Sequence, residues 1–225
     1  TLQKILIEAQ KLNPNFLNDG NGAFVQTFLT FPNDWGLGTS STLINNIATW
    51  AKVDAFQLLQ KSFGGSGYDI ACAQNNTSIY YKRLVSGQEV TPVDFNPSFK
   101  ESLFFIHLNQ KQDSKEGIKS YRAIEKNKQK AIDEISKITK NIIEVETLKE
   151  FETLIDMHEK IIGDLLEIQP VKQRLFSDYF GSIKSLGAWG GDFVLATGDE
   201  TTPEYFNNKG YEIVLPYEGM ILKNN

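Results

Sequence analysis

The sequence lacks several features that mark specialised classes of protein. It has a single cysteine, Cys72, so no disulfide can form within the chain, and a reducing compartment, the cytoplasm, is expected. Only two histidines are present, far apart and without cysteine pairs nearby, which argues against a zinc site. No apolar run approaches the roughly 20 residues that span a bilayer. With 23 basic and 28 acidic residues, the net charge of -5 gives no basic footprint for nucleic acid.

What remains is an ordinary globular composition with mixed periodicity. The predicted helices cover residues 1–12, 42–52, 54–61, 113–169, 171–180 and 203–207, and the predicted strands cover 23–31, 77–83, 90–95, 102–108, 192–197 and 211–215. This mixture predicts an α+β fold. A new strand begins after Asn96-Pro97-Ser98, so we expect two domains, residues 1–97 and 98–225.

The first of three glycine-rich stretches runs from Gly36 to Ser41 and reads GLGTSS. It lies between a predicted strand and a predicted helix. Glycines let backbone N–H groups approach an anion closely, and the start of a helix adds unpaired donors and a partial positive charge. A glycine- and serine-rich turn that merely caps a helix is an equally good interpretation.

The other two stretches also have a structural and a functional interpretation. Asp69 follows the turn GGSGY and precedes an apolar, helix-compatible run, so it is either a helix cap or a carboxylate that acts in a phosphate site. The segment Ser185–Gly198 is either a hairpin with glycines at positive φ or a loop that closes over a ligand.

Taken in order, the three stretches resemble the motifs of the GHMP kinase superfamily. Pro32 with GLGTSS is similar to that family's phosphate loop, and Gly65–Asp69 matches its GSGxD element. Gly187–Asp192 reads GAWGGD where the family usually has GAGGGD, so Trp189 replaces a glycine. The string GYDIA looks like the signature of a bacterial subgroup associated with mevalonate metabolism.

The resemblance implies a two-domain fold, with an N-terminal domain like ribosomal protein S5 domain 2, truncated here, and a ferredoxin-like C-terminal domain. It implies ATP and Mg²⁺ as cofactors and Asp69 as the catalytic carboxylate. The implied phosphate-binding residues are Gly36, Leu37, Gly38, Thr39, Ser40 and Ser41, with Ser40 as the ligand of Mg²⁺. The implied substrate cleft contains Ser66, Gly67, Gly187, Ala188, Trp189, Gly190 and Gly191.

A phosphorylated acceptor needs additional cations and donors near its site. Lys111 and Ser114 follow the predicted strand 102–108 and precede a helix, a position that can hold an anion. A solvated helix start is the more common reason for such residues.

The expected function is an ATP-dependent kinase that phosphorylates mevalonate or phosphomevalonate. A diphosphomevalonate decarboxylase and a non-catalytic nucleotide-binding homologue stay open as alternatives. The family's opening motif with its lysine does not occur before Gly36, so we expect a fragment with weak or no activity of its own. We expect a small-molecule substrate and neither nucleic acid nor membrane as a partner, whereas a homodimer is neither indicated nor excluded.

Overall fold

The computed structural model describes residues 2–110, 114–189 and 191–222, and these fall into two compact units. The first unit contains residues 2–33 and 37–94, and the second contains residues 34–36 and the described residues from 95 onward. Both units combine helices with antiparallel strands, as the sequence predicts for an α+β protein. The assignment of domains to residues 1–97 and 98–225 stays a prediction.

The first unit contains four helices and a hairpin. The helices are α1 (Leu2–Leu12), α2 (Thr39–Ala51), α3 (Ala55–Ser62) and α4 (Tyr68–Ala73), and the strands are β1 (Ser78–Leu84) and β2 (Gly87–Val93). Asp54 caps the start of α3, since its side chain accepts a hydrogen bond from the Gln57 N–H at 2.7 Å. Apolar faces of the helices form one core, which includes Ile5, Ala9, Ile44, Ala48, Leu58 and Ile70.

The prediction of a strand over residues 23–31 is wrong. That segment is irregular, and Phe24 and Phe28 are 93% and 80% exposed. Aromatic and branched residues favour a strand only when a neighbouring strand can pair with it. Within the described residues, β1 and β2 pair with each other and not with this segment.

The second unit is built on a four-stranded antiparallel sheet. Its strands are β3 (Leu103–His107), β4 (Ile183–Ser185), β5 (Phe193–Thr197) and β6 (Val214–Pro216), in the order β4-β5-β3-β6. The central pair runs in register from Leu103 opposite Thr197 to His107 opposite Phe193. Because β3 and β5 are almost wholly buried, they are the short apolar runs that the sequence reveals most clearly.

Helices accompany this sheet in the second unit. They are α5 (Ser114–Ala123), α6 (Gln129–Asn141), α7 (Leu148–Leu166), α8 (Val171–Leu175), α9 (Thr202–Asn208) and α10 (Tyr217–Met220), with a 3-10 turn at Lys100–Ser102. The predicted helix 171–180 ends early because Phe176 and Tyr179 turn into the core, where the Tyr179 hydroxyl donates to the Thr197 carbonyl at 2.8 Å. None of the described helices is long and apolar enough to cross a membrane.

Candidate functional site

Most of the GLGTSS segment forms the beginning of α2. Gly38 precedes the helix in the left-handed conformation, with φ 67° and ψ 27°, and Thr39, Ser40 and Ser41 form the first turn. The N-cap residue Gly38 has no side chain that could cap this turn. A first turn without a side-chain cap leaves backbone N–H groups available for an anion, next to three hydroxyl groups of which that of Ser40 is exposed.

Asp69 lies directly against this turn. A Cβ atom built on Gly38 would lie 3.4 Å from the Asp69 carboxyl carbon and 3.5 Å from Oδ2, which is ordinary van der Waals contact. The two helices that carry these residues pack together, with Ile44 of α2 and Ile70 of α4 in one core. The structure therefore brings together the two sequence motifs that are predicted to bind phosphate and to act on the acceptor.

The turn before Asp69 is held by the hairpin. The Tyr81 hydroxyl of β1 donates to the Ser66 carbonyl at 2.6 Å, and the Ser66 hydroxyl oxygen accepts from the Tyr68 N–H at 3.2 Å. Gly67 has φ 84°, and a Cβ there would lie 3.0 Å from both the Phe56 ring and the Tyr81 hydroxyl. A glycine is thus needed at this position to start α4 and to orient Asp69.

The surroundings of Asp69 also affect its ionisation. Its side chain remains accessible to solvent, yet the protein packed around it partly dehydrates the carboxyl group and raises its pKa. A carboxylate with a raised pKa is a better proton acceptor than an ordinary surface aspartate.

The first residue of the GLGTSS segment belongs to the second unit. Gly36 has φ 67°, and a Cβ on it would lie 2.1 Å from the carboxyl carbon of Asp192. The preceding residue, Trp35, packs edge-on against Phe193 with ring centroids 5.4 Å apart. Asp192 and Phe193 belong to the third glycine-rich stretch, so this stretch contacts Trp35 and Gly36 at the entrance of the predicted phosphate loop.

The described residues between Ser185 and Asp192 belong to the turn between β4 and β5, which pair antiparallel as the hairpin interpretation predicts. Gly187 has φ 63° with open space around it, whereas Gly191 is buried. Trp189 has the left-handed conformation, at φ 62°, which a glycine adopts more easily than other residues do. Ala188 of the same turn lies beside α5, where a Cβ on Gly117 would approach its methyl group to 3.1 Å.

Trp189 also lines a cavity within the second unit. The cavity has a volume of about 320 Å³ and is lined further by Glu159, Ser185, Arg174 and residues of the 162–171 segment. The prediction that Trp189 is part of a substrate cleft stays a prediction, as do the roles of its neighbours. Gly190 and Lys111 lie outside the described residues. Ser114 is the first residue of α5, and only its backbone is described.

Sequence reasoning missed a buried polar cluster next to this cavity. Glu159 of α7 is 7% exposed, its Oε2 accepts from the Ser185 hydroxyl at 2.6 Å, and its Oε1 lies 3.7 Å from the Lys184 ammonium. Burial alone would raise the pKa of Glu159, but nearby His158, the charge of Lys184 and the Ser185 hydrogen bond together lower it. The only available signal was the spacing of Glu152, Asp156 and Glu159, which places three carboxylates on one face of α7.

The proposed site offers few side chains that could bind a magnesium ion. No group of three or more histidine, cysteine, aspartate or glutamate side chains in the described part of the chain could hold a metal ion. Mg²⁺ typically keeps several waters and binds one or two protein oxygens together with the substrate's phosphates. Ser40 follows Gly38 by two residues, and its hydroxyl could supply the single protein oxygen of such a site.

Comparisons with known proteins identify similar folds but no related sequence family. No family model and no curated protein sequence matches the chain. Several solved structures are similar in fold, among them the following two. One is the Lin0012 protein from Listeria innocua, with a TM-score of 0.62 and 17% identity over 92% of this chain and 75% of that one. The other is L. major mevalonate kinase, crystallised in complex with R-mevalonate, with a TM-score of 0.57 and 14% identity over 92% of this chain and 72% of that one. At these identities the likeness shows that the chain shares its overall fold with these structures and nothing finer.

Proposed function

We propose that this protein is a GHMP-type kinase that transfers the γ-phosphoryl group of ATP to mevalonate or phosphomevalonate. The observation that supports this most directly is the contact between Gly38 and the Asp69 carboxyl group. An uncapped helix start with three hydroxyls and a carboxylate of raised pKa are the two parts that phosphoryl transfer needs close together.

In the proposed reaction, the acceptor oxygen, which is a hydroxyl of mevalonate or a phosphate oxygen of phosphomevalonate, forms a bond to the γ-phosphorus. The bond from that phosphorus to the β,γ-bridging oxygen breaks, which releases ADP. With mevalonate, the hydroxyl proton passes to the Asp69 carboxylate and from there to solvent. Backbone amides of the Gly36–Ser41 segment and the Ser40 hydroxyl hold the phosphates, and Mg²⁺ offsets their charge when it is bound. Because such transition states are loose, positioning and charge neutralisation supply most of the rate enhancement.

The finer description of the fold belongs to the same proposal. We assign the first unit to an S5-like, ATP-binding domain and the second to a ferredoxin-like domain. Support comes from the order of the three motifs and from the likeness to a mevalonate kinase over 92% of this chain. On this proposal, Gly187 and Trp189 border the substrate.

The test is an ADP-release assay on the full-length protein with mevalonate, phosphomevalonate, diphosphomevalonate and homoserine as substrates. We expect turnover with one of the first two. Asp69→Asn should lower kcat at least 10³-fold while ATP still binds, because the neutral amide keeps the shape but accepts no proton. Asp94→Asn, an exposed aspartate of the same unit, is the matched control and should keep wild-type activity.

ATP binding without turnover on any acceptor would favour the non-catalytic homologue instead. Turnover only with a diphosphorylated acceptor, with release of carbon dioxide, would favour the decarboxylase. An Asp69→Asn variant with wild-type kcat would contradict the catalytic role of Asp69.

A further inference from the structure

We infer that Asp192 is a positioning residue of the predicted phosphate loop: its carboxyl group packs against Gly36 and holds the entrance of that loop in place. The consequence for nucleotide binding rests on the proposed function. The contact itself lies entirely within the second unit and can be tested separately.

The contact between the two residues leaves no room for a side chain on Gly36. A Cβ atom there would lie 2.1 Å from the carboxyl carbon of Asp192, 2.3 Å from Oδ2 and 2.6 Å from Oδ1. All three distances are below 3.0 Å, and a real Cβ atom essentially never lies that close to a non-bonded heavy atom. Gly36 therefore has two reasons to be glycine, its φ of 67° and the carboxyl group that covers its Cα.

Asp192 is itself held by the central strands. Its carbonyl accepts a hydrogen bond from the Leu108 N–H at 2.9 Å. The next residue, Phe193, contacts both Trp35 and His107, with ring centroids at 5.4 and 4.9 Å. Two consecutive loop residues, Trp35 and Gly36, thus pack on two consecutive residues at the start of β5. This arrangement fixes the loop's entrance to the sheet.

The charge of Asp192 makes direct binding of phosphate unfavourable, because a carboxylate repels a polyphosphate at short range. Its contribution is instead to fix the backbone. Loop amides bind a nucleotide best when their direction is set before the ligand arrives, since no ordering is then required on binding. We therefore expect loss of the Asp192 side chain to weaken nucleotide binding by loosening residues 34–38.

The experiment combines Gly36→Ala, Asp192→Ala and the double variant in the full-length protein. Affinity for the fluorescent nucleotide mant-ATP and hydrogen exchange of a peptide that covers residues 34–41 are measured for each. We expect each single variant to weaken binding about tenfold and to speed exchange. The affinity of the double variant for mant-ATP should be no lower than that of the single variant with the lower affinity. The reason is that Asp192→Ala removes all three atoms with which the new Cβ collides.

Two further variants separate this role from others. Gly210→Ala also changes a glycine of positive φ, 87°, but one with open space around it, and it should bind mant-ATP as the wild type does. Asp192→Asn keeps the shape and loses the charge, and it should retain affinity within about threefold. If both alanine variants fail to fold, a loss of affinity beyond threefold in Asp192→Asn would still contradict the inference.

Effects that add in the double variant, or wild-type affinity and exchange in Asp192→Ala, would overturn the inference. A loss in Asp192→Asn as large as in Asp192→Ala would contradict a role through packing. Failure of the wild type to bind mant-ATP would count against the proposed function, while the exchange measurement would still decide whether Asp192 holds the loop.

Discussion

Among the side chains of the proposed site, Asp69 is one whose ionisation is changed by its surroundings. Partial burial raises the pKa of its carboxyl group above the usual value of an aspartate. If the ionised form accepts the acceptor's proton, kcat must fall as the pH drops through this raised pKa. We therefore expect the acid limb of the pH–kcat profile to lie above pH 4, where an unperturbed aspartate would place it.

The measurement is a pH–rate profile of the wild type, with circular dichroism at each pH to show that the protein stays folded. Asp69→Glu provides the comparison, because a longer carboxylate displaces the proton acceptor and should lower kcat while an acid limb persists. A profile that is flat down to pH 4 would argue that Asp69 orients the acceptor without taking its proton.

The sequence singles out Asp69 as a candidate but does not predict its ionisation. The GSGYD motif marks the residue as a candidate from its neighbours in the chain, and its catalytic role stays a prediction. Its pKa depends on the packing of α4 against α2, which the sequence does not show. Trp189 illustrates the same limit, since its substitution for glycine is obvious in the sequence, whereas its left-handed conformation at φ 62° is visible only in the structure.

Between elements, the polar contacts of α7 with β4 and β5 are the feature that the sequence did not predict. The strand β4 is three residues long and includes Lys184, so it carries neither the length nor the alternation that predicts a strand. The strand β3 could be recognised because its residues are nearly all apolar. Such a run indicates burial whichever strand it pairs with. The segment 23–31 has a strand-like pattern but pairs with no described strand, which is why its prediction failed.

The contact of α7 with β4 predicts a stability that depends on pH. The pKa of Glu159 is lower in the folded protein than in the unfolded chain, so this group stabilises the fold above its unfolded pKa, near 4.5. That contribution is lost as the pH falls through the lower, folded pKa. Glu159→Gln should reduce the free energy of unfolding at pH 7 by about 3 kcal/mol, because it leaves the Lys184 ammonium without its carboxylate.

Urea denaturation at several pH values between 3 and 8 measures this effect. Asp164→Asn is the matched control, since Asp164 is an exposed carboxylate on the same helix that pairs with Lys160, and its loss should be below about 1 kcal/mol. The variant Glu159→Gln/Lys184→Met should be more stable than Glu159→Gln alone. Equal losses for Glu159→Gln and Asp164→Asn would contradict the argument.

Over the whole chain, each unit has apolar cores of its own, and this predicts two separable unfolding transitions. Leu58 is fully buried in the core of the first unit, and Phe206 is fully buried in a core of the second. Truncation of either side chain to alanine should lower the free energy of unfolding by about 2–5 kcal/mol. Leu58→Ala should lower the unfolding midpoint of the first unit only, and Phe206→Ala that of the second only.

Tryptophan fluorescence can separate these transitions, because the three tryptophans divide between the units. Trp50 belongs to the first unit, where its ring meets that of Phe16 edge-on at 4.8 Å, and Trp35 and Trp189 belong to the second. A background that carries Trp35→Phe and Trp189→Phe therefore reports unfolding of the first unit through Trp50 alone. In this background, Leu58→Ala should shift the urea midpoint and Phe206→Ala should leave it in place. Equal shifts would mean that the two cores unfold as one cooperative structure, since a loss of packing in either unit would then destabilise both.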